Sequence, residues 1–186
     1  MSLFISYRRS DAPAEARAIY DFLVGIYGAD KVFKDVDSIK KGSDFRRVLD
    51  VTLNACSVLL VIIGPNWLLA ASESGEHRLQ DPTDFVRMEL CTALSRRIVV
   101  IPILVNGAKM PTSTDLPTEL SPLSSRQAIS LRAGQLSDDM GLIDNAVAPH
   151  VSWEILDRRT LVAATGVGML TVSIAVFISS PWSQFL

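Results

Sequence analysis

Few residue types in this chain are placed to do covalent chemistry. No serine, cysteine or threonine has a base close by in sequence, so a nucleophilic triad is not supported. His77 and His150 stand far apart and read as solvent-facing, neither triad members nor metal ligands. Cys56 and Cys91 each lie inside an apolar stretch with no histidine or cysteine at ligand spacing, so neither zinc nor a disulfide framework is implied. They read as small buried hydrophobes in a reducing compartment. No G-x-G-x-x-G follows a strand and no G-x-x-x-x-G-K-[ST] is present, which argues against a redox dinucleotide cofactor and a P-loop nucleotide. No metal and no resident cofactor are expected.

What remains is a set of carboxylates, arginines and aromatics. Glu89 follows Phe85 by four positions in DFVRMEL, so the two share one face of a helix. A single carboxylate can stabilise positive charge that develops on a sugar in a transition state. Ordinary glycoside hydrolysis needs a second one to protonate the leaving oxygen, but a leaving group that departs as a neutral base needs no general acid. The competing reading is that Glu89 only complements the helix dipole on a solvated first turn. Arg8 and Arg9, the adjacent Tyr7, the pair Asp35 and Asp37, and Trp67 are the other polar or aromatic residues on loops that follow strands.

The elements that must position them alternate. LFISY reads as a strand, and PAEARAIYDFLVGIYG as a helix with Ala16, Ile19, Tyr20, Leu23 and Ile26 at helical spacing, Pro13 in its first turn and Gly28 at its exit. KVFKD is a strand, DVDSIKKGS a loop and DFRRVLDVTLNAC a helix. SVLLVIIG has the continuous apolar run of a central parallel strand covered on both faces. GPNWLLAAS starts a short helix or turn, SESGEHRLQDPTD is a polar loop, and DFVRMELCTALSRR is a helix with Asp84 as N-cap. IVVIPILV is a buried strand whose Pro102 asks for an edge position or a bulge. NGAKMPTSTDLPTELSPLSS is a loop with at most one helical turn, RQAISLR is a weaker final strand, and a helix over about 136–157 is divided by Pro149. This order predicts an α/β, flavodoxin-like, doubly wound five-stranded parallel sheet. In such sheets ligands sit beyond the carboxyl ends of the strands, which selects the loops at 7–11, 35–43 and 64–69.

Nearly half of the residues are hydrophobic, enough for one domain and a short appendage. The net charge of -2 supplies no large positive field, so nucleic-acid binding is not expected. MSLFISYRRSD lacks the pattern of a secretory signal, so the domain is expected to start in the cytoplasm. At the other end LVAATGVGMLTVSIAVFI, bounded by Leu161 and Ile178, carries no charge. At about 1.5 Å per residue it approaches the roughly 30 Å of a hydrocarbon core. Asp157, Arg158 and Arg159 precede it, and Pro181 and Trp182 follow, as for a single-pass carboxyl-terminal anchor in membrane lipid with its amino side in the cytoplasm. The expected organisation is a domain at 1–135, a terminal helix and juxtamembrane linker at 136–159, a transmembrane helix at 160–180 and a short tail at 181–186. A buried core helix or an oligomerisation helix is the alternative for the apolar run.

Several separated motifs resemble one family, the Toll/interleukin receptor (TIR) domains. FISYRRSD resembles the family's first-strand motif, FKDVDSIKKGSDF the stretch containing its BB loop, and IIGPNW its third-strand exit, where Gly64 replaces a more frequent serine. DFVRMELCTALSRRIVVIPILV resembles the helix and fourth strand of NAD-cleaving TIR enzymes of bacteria and of animal axon degeneration. The resemblance covers about residues 2–132 and implies that Glu89 is the catalytic glutamate and Phe85 the aromatic beside it, usually tryptophan. It places Arg8 and Arg9 on the basic pair after the first strand, able to neutralise a pyrophosphate or to support a neighbouring protomer, an ordinary surface salt bridge being equally open for one of them. Asp35, Asp37, Ile39 and Gly42 fall in the BB loop at the rim of a nucleotide pocket, where the two aspartates can bond ribose hydroxyls or serve turn chemistry. Tyr7 and Trp67 are expected at the same substrate site, Trp67 as part packing and part rim.

The implied activity is an NAD+ glycohydrolase that cleaves the nicotinamide–ribose bond, or cyclises the ADP-ribose product, in bacterial antiphage defence or growth arrest. NAD+ would be substrate rather than cofactor, and TIR–TIR contacts would assemble a homo-oligomer. A non-catalytic scaffold acting by TIR–TIR assembly at a membrane is the alternative.

Overall fold

The computed structural model describes residues 2–34, 45–72, 75–96 and 98–151. The chain divides into Met1–Ile155 and Leu156–Leu186, and every element below lies in the first unit. Five parallel strands, β1 (Ser2–Ser6), β2 (Val32–Lys34), β3 (Cys56–Ile63), β4 (Val99–Leu104) and β5 (Ile129–Ser130), form one sheet in the order β2-β1-β3-β4-β5. This is the strand order of flavodoxin-like sheets. Between the strands run α1 (Pro13–Tyr27), α2 (Phe45–Ala55) and α3 (Phe85–Ser95), and α4 (Leu136–Val147) follows β5.

Alternation along the strands splits the core into two layers. Phe4, Leu59, Val61, Ile63, Val100 and Leu104 pack under α2 and α3 with Leu49, Leu53, Val86, Leu90 and Ala93. Leu3, Ile5, Val58, Leu60, Ile62, Ile101 and Ile103 pack under α1 and α4 with Ala16, Ile19, Leu23, Met140, Ile143 and Val147. Strand β3 is apolar throughout because both of its faces are covered. A phenol hydroxyl fastens the ends of α1 and α4, Tyr27 donating to Asp144 Oδ1 at 2.6 Å.

Three local expectations change. Pro102 lies in β4, which is neither an edge strand nor bulged, since its pairing with β3 runs unbroken from Val58↔Val99 to Ile63↔Leu104. The proline is accommodated because β5 pairs only with Ile103 and Leu104, so β5 does not cover the outer flank of β4 at Pro102, and no ladder bond to β5 is lost there. The long loop before β5 contains an eight-residue 3-10 helix, Thr118–Ser125, whose Leu120 and Leu123 are fully buried against the α3 layer. Their spacing of three matches that helix's period rather than the 3.6 of an α-helix. The last helix ends at Val147 and passes into a 3-10 turn, Ala148–His150, that carries Pro149, and the remainder of the expected helix, 152–157, lies outside the described residues. RQAISLR contributes only two paired residues. Both histidines are exposed, and both cysteines are free thiols, Cys56 buried and Cys91 half-buried.

The expected BB loop and the apolar run at 161–178 lie outside the described residues. Among the described residues no helix is long and apolar enough to cross a membrane.

Candidate functional site

The winding of the sheet reverses between β1 and β3, so a crevice is expected above the carboxyl ends of these two neighbours. The chain leaves β1 through Tyr7, Arg8 and Arg9, and leaves β3 through Gly64 and a turn at 65–69. Helix α3 packs over the same face and also touches β1.

Arg8 ties these parts together. Its Nη1 and Nη2 donate to Asp84 Oδ2 and Oδ1 at 3.1 and 3.0 Å, and its Nε donates to the Trp67 carbonyl at 3.1 Å. The two charged side chains are each 1% exposed. A planar fork against a carboxylate is the geometry in which arginine outperforms lysine, and breaking such a buried pair from one side costs about 3–5 kcal/mol. Asp84 is also the N-cap of α3, accepting from Arg87 N at 3.0 Å, and it is ion-paired with Arg78 Nε at 3.1 Å. The Arg8 guanidinium stands 5.9 Å from the centre of the Trp67 ring, within cation–π range.

Glu89 lies on the second turn of α3. The buried residues of that helix are Val86, Glu89, Leu90 and Ala93, so the carboxylate occupies one position of the stripe that faces the sheet. It is 4% exposed. A solvated first-turn carboxylate that merely complements the helix dipole does not sit this way. Charged residues are almost never buried to this degree unless they are paired. Phe85, four residues earlier, is 42% exposed at the mouth of the helix. Two further polar atoms beneath this face, Ser6 Oγ and Trp67 Nε1, are buried and have no hydrogen-bond partner among the described residues. Leaving such groups unsatisfied costs about 1–3 kcal/mol each.

The residues singled out in the sequence therefore separate. Glu89 and Phe85 share the expected helix, and Arg8 and Trp67 meet at its amino end. Trp67 is fully buried, so it is all packing and no rim. Arg8 directs its fork to Asp84. Tyr7 is half-buried against the opposite core, under α1 and α4, and Arg9 is exposed. Asp35, Asp37, Ile39 and Gly42 lie outside the described residues. Sequence reading found Asp84 as a cap but missed it as the partner of Arg8, and missed Arg78 and Asp11 altogether. The Arg8–Asp84 contact spans 76 positions, and no local spacing announces it. Asp11 Oδ2 and Oδ1 accept from Gly64 N and Asn66 N, both at 2.8 Å, and so fix the exit of β3 to the start of α1. Among the described residues no cluster of acidic, histidine and cysteine side chains could hold a metal ion.

Comparison with known proteins agrees with this architecture. No curated protein matches the chain. The TIR domains in the structure of the activated Roq1 resistosome directly recognising the pathogen effector XopQ superpose with a TM-score of 0.59 at 13% identity, covering 78% of this chain and 98% of that one. At that identity the likeness concerns the fold. The family model described as TIR domain matches residues 3–144, which takes in all five strands and most of α4, and on that match the chain belongs to the TIR domain family.

Proposed function

We propose that the protein is a TIR-domain NAD+ glycohydrolase, with Glu89 as its catalytic carboxylate. The observation that carries this reading is the burial of Glu89 among the buried residues of α3, a helix that also contacts β1. The reaction cleaves the bond between C1′ of the ribose and the nicotinamide nitrogen. The bonding pair leaves with nicotinamide, which departs neutral, and water adds to C1′ to give ADP-ribose and a proton. Attack by an adenine nitrogen in place of water gives a cyclic product. Glu89 stabilises the positive charge on the sugar in the transition state. Phe85 offers a ring face to the nicotinamide. Arg9 is exposed beyond β1 and so accessible to a pyrophosphate, whereas the Arg8 side chain is buried against Asp84.

The apolar run at 161–178 would tether this activity to a membrane as a single-pass anchor, with depletion of NAD+ in defence or growth arrest as the outcome. Confinement to a plane raises the effective concentration of protomers and favours TIR–TIR assembly. Ala164 and Gly168 offer a small-residue face for helix contact. Replacing both with leucine should reduce clustering in membranes, and unchanged clustering would remove that part of the proposal.

A scaffold that acts by assembly alone is favoured by a different observation: Arg8 and Trp67 are consumed in packing rather than presented to a ligand. Incubation of the full chain with NAD+ at high protein concentration separates the two. Nicotinamide release that is lost in Glu89→Ala supports the enzyme. No release from the wild type, in solution or in reconstituted membranes, supports the scaffold.

A further inference from the structure

The segment between β3 and α3 contains the polar loop SESGEHRLQDPTD, referred to below as the insert, yet it is stitched to the helix that bears Glu89. Ala71 and His77 form an antiparallel bridge, and Arg78–Gln80 makes one 3-10 turn. Leu79 from that turn is 2% exposed in the core under α2 and α3. Arg87, on the first turn of α3, donates Nη1 to the Leu79 and Gln80 carbonyls at 3.2 and 2.7 Å. Asp84 N donates to the Asp81 carbonyl at 3.1 Å. The Asp84 carboxylate gathers the rest: Arg8 from the loop that leaves β1, Arg87 N from its own helix and Arg78 from the insert.

We infer that Asp84 is a positioning residue for Glu89, held between Arg8 of the loop that leaves β1 and Arg78 of the insert, so that the insert sets the attitude of α3 above the strand ends. This rests on the reading of Glu89 as the catalytic carboxylate. Glu89 is five residues beyond Asp84, about 7.5 Å along the helix axis. A rotation of about 10° about that axis moves a carboxylate some 6 Å from it by about 1 Å, and a displacement of that size can cost on the order of a hundredfold in rate. A helix held at its first turn by a cap alone would have one bond to resist the rotation. Here a two-point ion pair fixes the turn to the loop that leaves β1, and the third contact adds Arg78 to a segment that Leu79 anchors in the core and Arg87 bonds to α3. Arg78 is the solvent-facing arm of the three, with 43% of its side chain exposed against 1% for Asp84. It can therefore be altered without leaving a charge stranded in the interior.

The test uses the full chain and NAD+, comparing wild type with Arg78→Gln, Arg78→Lys and Asp84→Asn. The expected result for Arg78→Gln is a fall in kcat of about tenfold with KM within about twofold, a melting temperature close to wild type, and recovery of most of the loss in Arg78→Lys. Asp84→Asn keeps a competent N-cap but gives up the charge, and should lose more in kcat than Arg78→Gln does. Hydrogen exchange supplies a readout independent of turnover: amides of Val86 to Met88 should exchange faster in Arg78→Gln while those of α1 do not change. Unchanged kcat and unchanged exchange in Arg78→Gln would overturn the inference and leave the enzyme reading intact. A kcat that falls only in step with melting temperature, with no rescue by lysine, would also overturn it, reducing the contact to a structural one. Nicotinamide release that survives Glu89→Ala would overturn the enzyme reading and this inference together.

Discussion

Asp11 and Gly64 touch in a way that admits no side chain at position 64. The Asp11 carboxylate bonds Gly64 N and Asn66 N, and a Cβ built on Gly64 would lie 2.5 Å from Asp11 Oδ2 and 2.7 Å from its Cγ. The carboxylate just before α1 thus caps the turn that leaves β3. Gly64→Ser should therefore destabilise the fold by about 1–3 kcal/mol through overpacking, read as a lowered urea midpoint. Adding Asp11→Ala should recover part of that loss, because it removes the clash and lets the new hydroxyl bond the turn. A double variant no better than the sum of the two singles would show that the positions do not compete for the same space.

How much of this could be read in the sequence depends on the distance over which each feature is decided. Strand β3, the stripe of α1 and the Asp84 cap were recoverable because a run of apolar residues, a 3.6-residue period and an aspartate three positions before its acceptor's donor are all local. The parallel sheet with helices on both faces followed from the alternation of strands and helices, whereas no local pattern announces the order of its strands. The 3-10 helix at Thr118–Ser125 was missed because Pro122 and the serines around it read as loop, and only the pair Leu120 and Leu123 marked it. The site divided in the same way. Glu89 and Phe85 lie on one helix and could be found together, whereas the Arg8–Asp84–Arg78 contact joins three segments that only tertiary packing brings into register. Arg8 looked like a ligand-binding arginine for the same reason that it is a good buried partner: a planar fork suits a phosphate and a carboxylate equally.

Acid should loosen the end of the domain at α4. Arg132 donates through Nε and Nη2 to Asp139, and its backbone N donates to Asp139 Oδ2 at 2.8 Å. The guanidinium bonds first, and the backbone bond second, hold the Asp139 carboxyl below the usual carboxylate range. A pKa that is lower in the folded than in the unfolded chain adds stability that is complete above the unfolded value of about 4 and is lost as pH falls through the folded value. Asp139→Asn should accordingly be less stable than wild type at pH 7, with the gap closing below about pH 4. Asp81, lowered by the Thr83 backbone N–H and hydroxyl, and Asp115, lowered by the Thr112 hydroxyl and backbone N–H, add to the same trend. Urea midpoints of both chains across pH 3–7 measure it, and a gap that stays constant with pH would show that Asp139 acts by packing alone.

Alkylation should tell the two thiols apart. Burial pushes the Cys56 thiol up to about 12, and its Sγ contacts the Thr52 carbonyl at 3.1 Å. Burial also raises Cys91, though that residue is only partly covered. At pH 8 a thiol with a pKa near 12 is about one part in ten thousand thiolate, while an unperturbed one is about a quarter ionised. Iodoacetamide should thus label Cys56 of the native chain on the order of a thousandfold more slowly than in urea, with Cys91 intermediate, as followed by mass spectrometry of the two peptides. Cys56 opens β3 at its amino end, away from the strand tips that carry the candidate site. Rapid labelling there would mean that the sheet opens from the far end, where the β1–β3 register shifts between Ser2 and Leu3 beside Cys56 and the β3–β4 pairing begins only at Val58.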